Sequence, residues 1–220
     1  MMEDFWSPVL LSLEISVSAG MIVFVLGILV ARWMAVVRFK GKAALDTIFL
    51  LPLVLPPTVV GFLLVVVFGK NSPVGQAVEW VFKQPVIFTW WAAVIAATVV
   101  AFPLMYQSAK TGFEAVDGDI ENAARVDGAN EFRVFLFVSV PLAAKSLVSG
   151  AVLSFARALG EFGATLMFAG NIPGKTETAP TAIYLAIDAG NMQLAWLWVI
   201  CMVAISFLML VSVHLFQSKA

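Results

Sequence analysis

The chain consists of long apolar runs separated by short polar segments. A membrane helix needs about 20 consecutive apolar residues to cross the hydrocarbon core of a bilayer. Five runs reach that length, and we expect membrane spans at about residues 9–31, 47–69, 86–108, 142–168 and 192–213. A further apolar piece is too short to cross, so residues 179–190 are expected to form a re-entrant or surface helix. The pattern predicts an all-α, polytopic membrane protein whose residues 1–220 form a single domain.

Basic residues predict the direction of the spans, because cytoplasmic loops of membrane proteins carry an excess of lysine and arginine. With the N-terminus outside and the C-terminus inside, nine of the 13 basic residues lie in inward segments and three in outward segments. The inward residues are Arg32, Arg38, Lys40, Lys42, Lys110, Arg125, Arg133, Lys145 and Lys219. The opposite orientation reverses this ratio, so we expect the N-terminus out and the C-terminus in.

Composition agrees with a membrane protein and excludes several other classes. Hydrophobic residues make up 61% of the chain and charged residues 12%, against about 45–50% and about 25% in soluble domains. A formal net charge of −1 provides no basic surface for nucleic acid. The one cysteine, Cys201, cannot form an internal disulfide and has no metal-ligating neighbours in the sequence. The first apolar run follows acidic residues, so we expect a retained span and not a cleaved signal peptide.

Residues 169–176, AGNIPGKT, come close to the phosphate-binding pattern G-x-x-x-x-G-K-[ST]. Ala169 stands in place of the first glycine, and the expected orientation puts the segment outside, where no ATP is available. The segment also follows a helical span, whereas a phosphate loop joins a β-strand to a helix. We therefore interpret Gly170, Pro173 and Gly174 as turn residues. We expect no catalytic, metal or cofactor site in this chain.

The polar segment 114–141 is expected to lie in the cytoplasm, between the third and fourth spans. Asp119 can cap a short helix, which Gly128 can end by taking a left-handed conformation. Asn130 can cap a second helix, so two short helices should meet at an angle. The alternative interpretation is a solvated amphipathic connector.

This segment resembles the cytoplasmic signature of ABC-importer permeases, E-A-A-x3-G-x9-I-x-L-P. Six positions match in residue or in apolar character: Ala123, Ala124, Gly128, Val138, Val140 and Pro141. Asn122 replaces the acid of the signature, and Glu121 stands one place earlier. In that family the short helix docks on the ATP-binding subunit. The resemblance implies a coupling segment over 114–141 whose contacts involve Glu121, Ala123, Ala124, Arg125 and Gly128.

Three further stretches resemble permease subunits of oxyanion importers. They are LPLVLPPTVVGFLL at 51–64, SFARALGEFGATLMFAGNIPGKT at 154–176 and APTAIY at 179–184. The piece ARALGEFGA is shared with sulfate permeases, whereas TLMF and AIY favour molybdate. The resemblance covers nearly the whole chain and implies the importer-permease core and the import of molybdate. A sulfate or tungstate permease of the same class is the alternative.

The fourth span carries two charges, Arg157 and Glu161, one helical turn apart. Charges at that depth are costly unless they pair or face water. Ser154 and Thr165 fall on roughly the same helical face. Two interpretations stay open: an internal ion pair that fixes helix packing, or a face that borders the anion path or its gate.

The second span carries Pro52, Pro56 and Pro57. Proline removes a backbone donor and bends a helix. These residues predict either structural bends or a broken helix beside the translocation path.

The resemblance also implies an assembly in the inner membrane of a prokaryotic cell. Five helices are few to enclose a hydrated path, so we expect a symmetric pair of chains around it. Two ATP-binding cassette subunits, which bind the ATP and magnesium, would dock from the cytoplasm, and an extracytoplasmic oxyanion-binding protein would deliver the anion. A passive channel or a membrane-embedded enzyme is the alternative of another class. A channel needs no cytoplasmic signature, and an enzyme needs paired catalytic groups.

Overall fold

The computed structural model describes the backbone of residues 2–217 and the side chains of residues 5–211. Within that range every regular element is a helix, as predicted. The helices are α1 (Met2–Val36), α2 (Lys42–Val54), α3 (Pro57–Phe68), α4 (Pro73–Phe82), α5 (Trp90–Glu114), α6 (Gly118–Val126), α7 (Glu131–Leu142), α8 (Ala144–Leu159), α9 (Gly163–Phe168), α10 (Ala179–Asp188) and α11 (Met192–Gln217). Lys219, one of the basic residues used to orient the spans, lies outside the described residues.

Three helices are long and apolar enough to cross a membrane alone, and two bent pairs pass the same test together. The single helices cover Phe5–Val36, Trp90–Glu114 and Met192–Val211. The bent pairs are α2 with α3, which meet at 116°, and α7 with α8, which meet at 75°. The described part of the chain thus holds three to five spans, and five if each bent pair counts as one.

The predicted span at 47–69 is a broken helix. Leu55 ends α2 in an extended conformation, and Pro56 and Pro57 lead into α3. Proline fits the start of a helix because its missing N–H needs no intrahelical partner there. Pro52, by contrast, lies inside α2, whose backbone continues through it.

The predicted span at 142–168 is also interrupted, because α8 ends at Leu159 and α9 begins at Gly163. The two interruptions lie against each other. A Cβ on Gly163 would lie 3.0 Å from the Cβ of Pro57, at the start of α3. A Cβ on Gly61 would lie 2.9 Å from the Cα of Ala164. Helices α3 and α9 therefore pack backbone to backbone, as small residues permit in membranes.

Helices α1, α5 and α8 form the centre of the bundle. The buried face of α5 is rich in alanine, which lets neighbouring helices approach closely. A Cβ on Gly27 of α1 would lie only 2.6 Å from the Cγ of Met105 on α5. Helix α10, in the 179–190 region expected to be re-entrant or on the surface, packs against α11 and α1.

Different polar contacts mark the two ends of the bundle. At one end, Arg32 of α1 contacts the 114–141 segment, and Lys110 of α5 pairs with Asp46 of α2. At the other end, the hydroxyl of Ser12 accepts a hydrogen bond from the amide of Ala179, at 2.7 Å. The 114–141 segment and the 169–191 region therefore lie at opposite ends. We assign the first end to the cytoplasm on the predicted orientation.

Candidate functional site

Polar residues and a glycine determine where α6 begins and ends and where α7 begins. The carboxylate of Asp117 accepts a hydrogen bond from the amide of Asp119 at 2.9 Å. The prediction that Asp119 caps this helix is wrong. The cap is Asp117, because α6 begins at Gly118. Gly128 has a φ of 91° and ends the helix in the predicted left-handed conformation. The side chain of Asn130 caps α7, also as predicted, by accepting from the amide of Arg133 at 2.9 Å.

Glu121 points from α6 toward the membrane helices. Its carboxylate receives two hydrogen bonds from the guanidinium of Arg32, at 2.9 and 3.2 Å. The hydroxyl of Ser139 donates a third bond at 2.7 Å. Burial raises the pKa of Glu121, but the hydrogen bonds from Arg32 and Ser139 outweigh it and hold that pKa below its usual value. The carboxylate is therefore charged and clamps α6 to α1 and α7. We call these three residues the Arg32 clamp.

Arg125 fixes the angle between α6 and α7. Its Nε and Nη2 atoms donate to the two carboxylate oxygens of Glu131, at 2.7 and 3.1 Å. Its Nη1 atom donates to the side-chain oxygen of Asn122 at 2.9 Å. The hydrogen bond from Arg125 lowers the pKa of Glu131 below its usual value. This planar, bidentate geometry suits arginine and not lysine.

A π-helical turn, Phe135–Ser139, interrupts α7. Such turns are uncommon and occur often at functional sites, because the wider turn redirects the side chains that follow it. Here the turn ends at Ser139, whose hydroxyl reaches Glu121. The turn therefore helps to complete the Arg32 clamp.

The opposite face of the α6–α7 turn is open. Three apolar side chains stand out: Val126 is 87% exposed, Phe132 69% and Ile120 47%. Ala123 is exposed, and a Cβ on Gly128 would meet nothing within 4 Å. We call these five residues, which lie on α6, in the turn after it and at the start of α7, the α6 face. A small apolar face on a polar segment suits contact with another protein.

The residues predicted for the anion path lie mostly inside the chain. Ser154 and Thr165 are buried, and the hydroxyl of Ser154 donates to the carbonyl of Ala151. Glu161, only 3% exposed, accepts a hydrogen bond from the amide of Ala164 at 2.7 Å. This bond satisfies an amide in the first turn of α9, so Glu161 stabilises the break between α8 and α9.

Arg157 is brought to Glu161, as the helical spacing predicts. Its Nη1 atom lies 2.7 Å from the Oε2 atom of Glu161, in an ion contact that is not aligned as a hydrogen bond. Arg157 is half-buried, whereas the other three members of the predicted path set are buried. A role for these four residues in the path stays a prediction. Their geometry supports the packing interpretation directly.

Sequence reasoning missed several residues of the inner end. Arg32 was predicted only to be a basic residue that orients the spans, and no role was predicted for Ser139. Asp46 likewise accepts hydrogen bonds from Tyr106 and Lys110, which tie α2 to α5. The only available signal was the occurrence of charged residues at the ends of apolar runs. Their pairing could not be deduced from one sequence.

The phosphate-loop look-alike is a turn, as interpreted. Gly170 and Gly174 each have a φ of 71°. The hydroxyl of Thr176 accepts a hydrogen bond from the amide of Ile172 at 2.9 Å and closes the loop on itself.

Comparison with known proteins places the chain in a family. Residues 24–220 match the family described as the binding-protein-dependent transport system inner membrane component. The chain belongs to this family. It is therefore an inner-membrane, multi-pass component of binding-protein-dependent transport, as expected.

Several relatives of this permease carry names of molybdenum transport. It is 66% identical to the putative molybdenum transport system permease protein YvgM of Bacillus subtilis, over 94% of this chain and 92% of the relative. It is 45% identical to the molybdenum transport system permease protein ModB of Escherichia coli, over 83% and 80%. Identity to the sulfate transport system permease protein CysT of Escherichia coli is 33%, over 89% and 70%.

Solved structures confirm the permease fold. The MetNI methionine ABC transporter, in an inward-facing form, matches with a TM-score of 0.76 and 18% identity, over 100% of this chain and 97% of that chain. A bacterial ABC transporter for alginate import matches with a TM-score of 0.78 and 16% identity, over 99% and 80%. The expected importer-permease core is therefore present.

Proposed function

We propose that this chain is the membrane-spanning subunit of an ATP-driven importer that carries molybdate into the cytoplasm. The observation that carries the proposal is the gradient of identity among its relatives. Identity is 66% and 45% to the two molybdenum permeases but 33% to the sulfate permease. A sulfate permease of the same class is the second candidate, since that relative also matches over most of the chain.

In this proposal the α6–α7 turn couples the permease to a separate ATP-binding subunit, which holds the ATP and magnesium. The α6 face is its docking surface, with Ala123 and Gly128 allowing close approach. Glu121 and Arg125 act from behind that face. They hold α6 in place instead of offering charge to the partner, because their side chains are engaged within the chain.

The Arg32 clamp gives the coupling a mechanical path. A partner that displaces α6 also pulls on α1 through Arg32 and on α7 through Ser139. Helix α1 packs along α5 through close contacts such as Gly27 against Met105. Movement of α6 is thereby passed to the centre of the bundle and not absorbed by a loose loop.

The remaining partners follow from the family. Two copies of the chain would surround the path, and an external binding protein would deliver the anion. A related fold supports the second partner, because one structure of the alginate transporter contains a periplasmic protein bound to an alginate pentasaccharide. That match has a TM-score of 0.79.

Transport in proteoliposomes tests the substrate. The permease would be isolated from native membranes with the ATPase that co-purifies, reconstituted, and supplied with the binding protein and radiolabelled molybdate. We expect uptake that requires ATP, that tungstate reduces and that excess sulfate leaves nearly unchanged. Uptake without ATP would indicate a channel, and equal competition by sulfate would favour the second candidate.

Substitution of Gly128 tests the coupling. Gly128→Val places a β-branched residue at a φ of 91° and should distort the turn. We expect the variant to reach the membrane but to lose the ATPase in a pull-down. Gly128→Asn should retain it, because asparagine tolerates this conformation. Gly174→Val is the matched control, since Gly174 has a φ of 71° and open surroundings at the other end. Retention of the ATPase by Gly128→Val would contradict the proposal.

A further inference from the structure

A groove lined by polar residues lies between α5 and α8, at the same end of the bundle as α6. Its volume is about 370 Å³, enough for several water molecules at roughly 30 Å³ each. Six polar side chains line it: Gln107, Ser108, Thr111, Lys145, Ser146 and Ser149. None of them is acidic. Such a set of hydroxyl, amide and ammonium groups can donate hydrogen bonds to water or to a bound anion.

Two glycines bring α5 and α8 close together beside this groove. A Cβ on Gly150 of α8 would lie 2.7 Å from the Cβ of Ser108, and a Cβ on Gly112 of α5 would lie 2.6 Å from the Cβ of Ser146. The two serines therefore lie where the helices are closest, each opposite a glycine. Thr111 and Lys145 are more exposed than the serines. The groove thus has hydroxyl groups at its base and an ammonium group at its rim.

Lys145 gives the groove an unbalanced positive charge. Two other cations that lie between helices of the bundle are paired with carboxylates: Arg157 with Glu161, and Lys110 with Asp46. Among the described residues no carboxylate pairs with Lys145. Lys145 also lies in the first turn of α8, where the helix dipole adds positive potential. An anion is therefore attracted here, whereas Glu161 disfavours one beside Arg157.

We propose that this groove binds a tetrahedral oxyanion at the cytoplasmic mouth of the path, an inference that rests on the proposed function. Hydroxyl and amide donors match the oxygens of such an anion, and Lys145 offsets part of its charge. A transported ion must also leave, so a site with one cation and neutral donors suits release better than a cluster of cations. A lipid phosphate has the same chemistry, and the experiment separates the two sources.

Equilibrium binding to the full chain in phosphatidylcholine nanodiscs tests the proposal, with radiolabelled molybdate as the probe. We expect saturable binding by the wild type. Lys145→Gln should weaken it at least about tenfold, the loss expected for one charge-assisted hydrogen bond. Lys145→Arg should stay close to the wild type. Lys40→Gln is the matched control, because Lys40 is an exposed cation of the same end outside the groove.

Each outcome decides the inference. No saturable binding, or equal binding by Lys145→Gln, would overturn it. Native mass spectrometry tests whether the groove binds a lipid phosphate. If phosphatidylglycerol stays bound to the wild type but not to Lys145→Gln, and molybdate does not displace it, the assignment to a soluble oxyanion is overturned. Uptake by the wild-type importer separates this inference from the proposed function. If the wild-type importer shows ATP-driven uptake while the groove binds nothing, only the groove assignment fails. If the wild-type importer shows no ATP-driven uptake, the proposed function is refuted.

Discussion

Replacing Arg32 by glutamine is expected to loosen α6 from the membrane helices. Arg32 reaches Glu121 across 89 positions of sequence and donates two hydrogen bonds to its carboxylate. The substitution removes the positive charge and the bidentate geometry, and it leaves the partly buried carboxylate with weaker partners. Arg125 remains at 3.4 Å, and Ser139 at 2.7 Å.

The size of the effect follows from burial and from these remaining partners. Removal of one member of a fully buried ion pair costs about 3–5 kcal/mol. The side chains of Arg32 and Glu121 are 15% and 11% exposed, so solvent screens the pair only in part. Because Arg125 and Ser139 still satisfy some of the carboxylate, we expect a loss of about 2 kcal/mol in the free energy that holds α6 closed. This loss corresponds to roughly a 30-fold increase in its opening equilibrium.

Hydrogen–deuterium exchange of the full chain in nanodiscs measures this opening. Amides of α6 should exchange roughly 30-fold faster in Arg32→Gln, while those in the centre of α5 should not change. Arg38→Gln is the control, since Arg38 is an exposed arginine near the same end of α1. The double variant with Glu121→Gln should differ little from either single variant, because both break one interaction. Unchanged exchange of α6 in Arg32→Gln would refute the reasoning.

Three further predictions concern the same contacts. The pKa of Glu121 lies below its usual value. Its stabilisation of α6 is therefore complete above the ordinary glutamate pKa and is lost as the pH falls through the lowered pKa. Hydrogen–deuterium exchange of α6, corrected for intrinsic rates, should rise on acidification in the wild type but not in Glu121→Gln. Gly61→Ala should destabilise the chain by about 1–3 kcal/mol and so lower its melting temperature in detergent, since the new Cβ would meet the α9 backbone at 2.9 Å. Gly118→Ala should leave the melting temperature unchanged, because a Cβ there has open surroundings. Arg157→Gln should destabilise the chain by about 2 kcal/mol, less than the cost of breaking a fully buried ion pair, because Arg157 is 29% exposed. Adding Glu161→Gln should restore the melting temperature, since it removes the carboxylate that was left unpaired. No recovery would argue against a simple ion pair.

Patterns of local sequence predicted most of the secondary structure. Apolar runs give the membrane helices because their length must match the bilayer. The turn between α6 and α7 was predictable because Gly128 and Asn130 act through their own backbone neighbourhood. The cap at Asp117 was missed by two residues, since two aspartates stand close together and either can accept the first amides.

The relations between distant residues could not be predicted in this way. Arg32 and Glu121 are 89 positions apart, and their contact depends on how α6 folds back under α1. The burial of Ser154 likewise depends on which helix covers it, which a helical wheel does not specify. The groove around Lys145 was missed for the same reason, because it exists only where two helices pack.

The contact between the two broken helices has a consequence for biosynthesis. A helix break leaves peptide groups without partners, and the hydrocarbon core offers them no water. The break before Pro57 is covered by Gly163, more than a hundred residues later in the chain. A ribosome reaches Pro57 long before it reaches Gly163, so the bend beside Pro57 lacks its cover until the fourth apolar segment has entered the bilayer. Nascent chains that stop before residue 163 should therefore carry a second span whose bend is not yet packed.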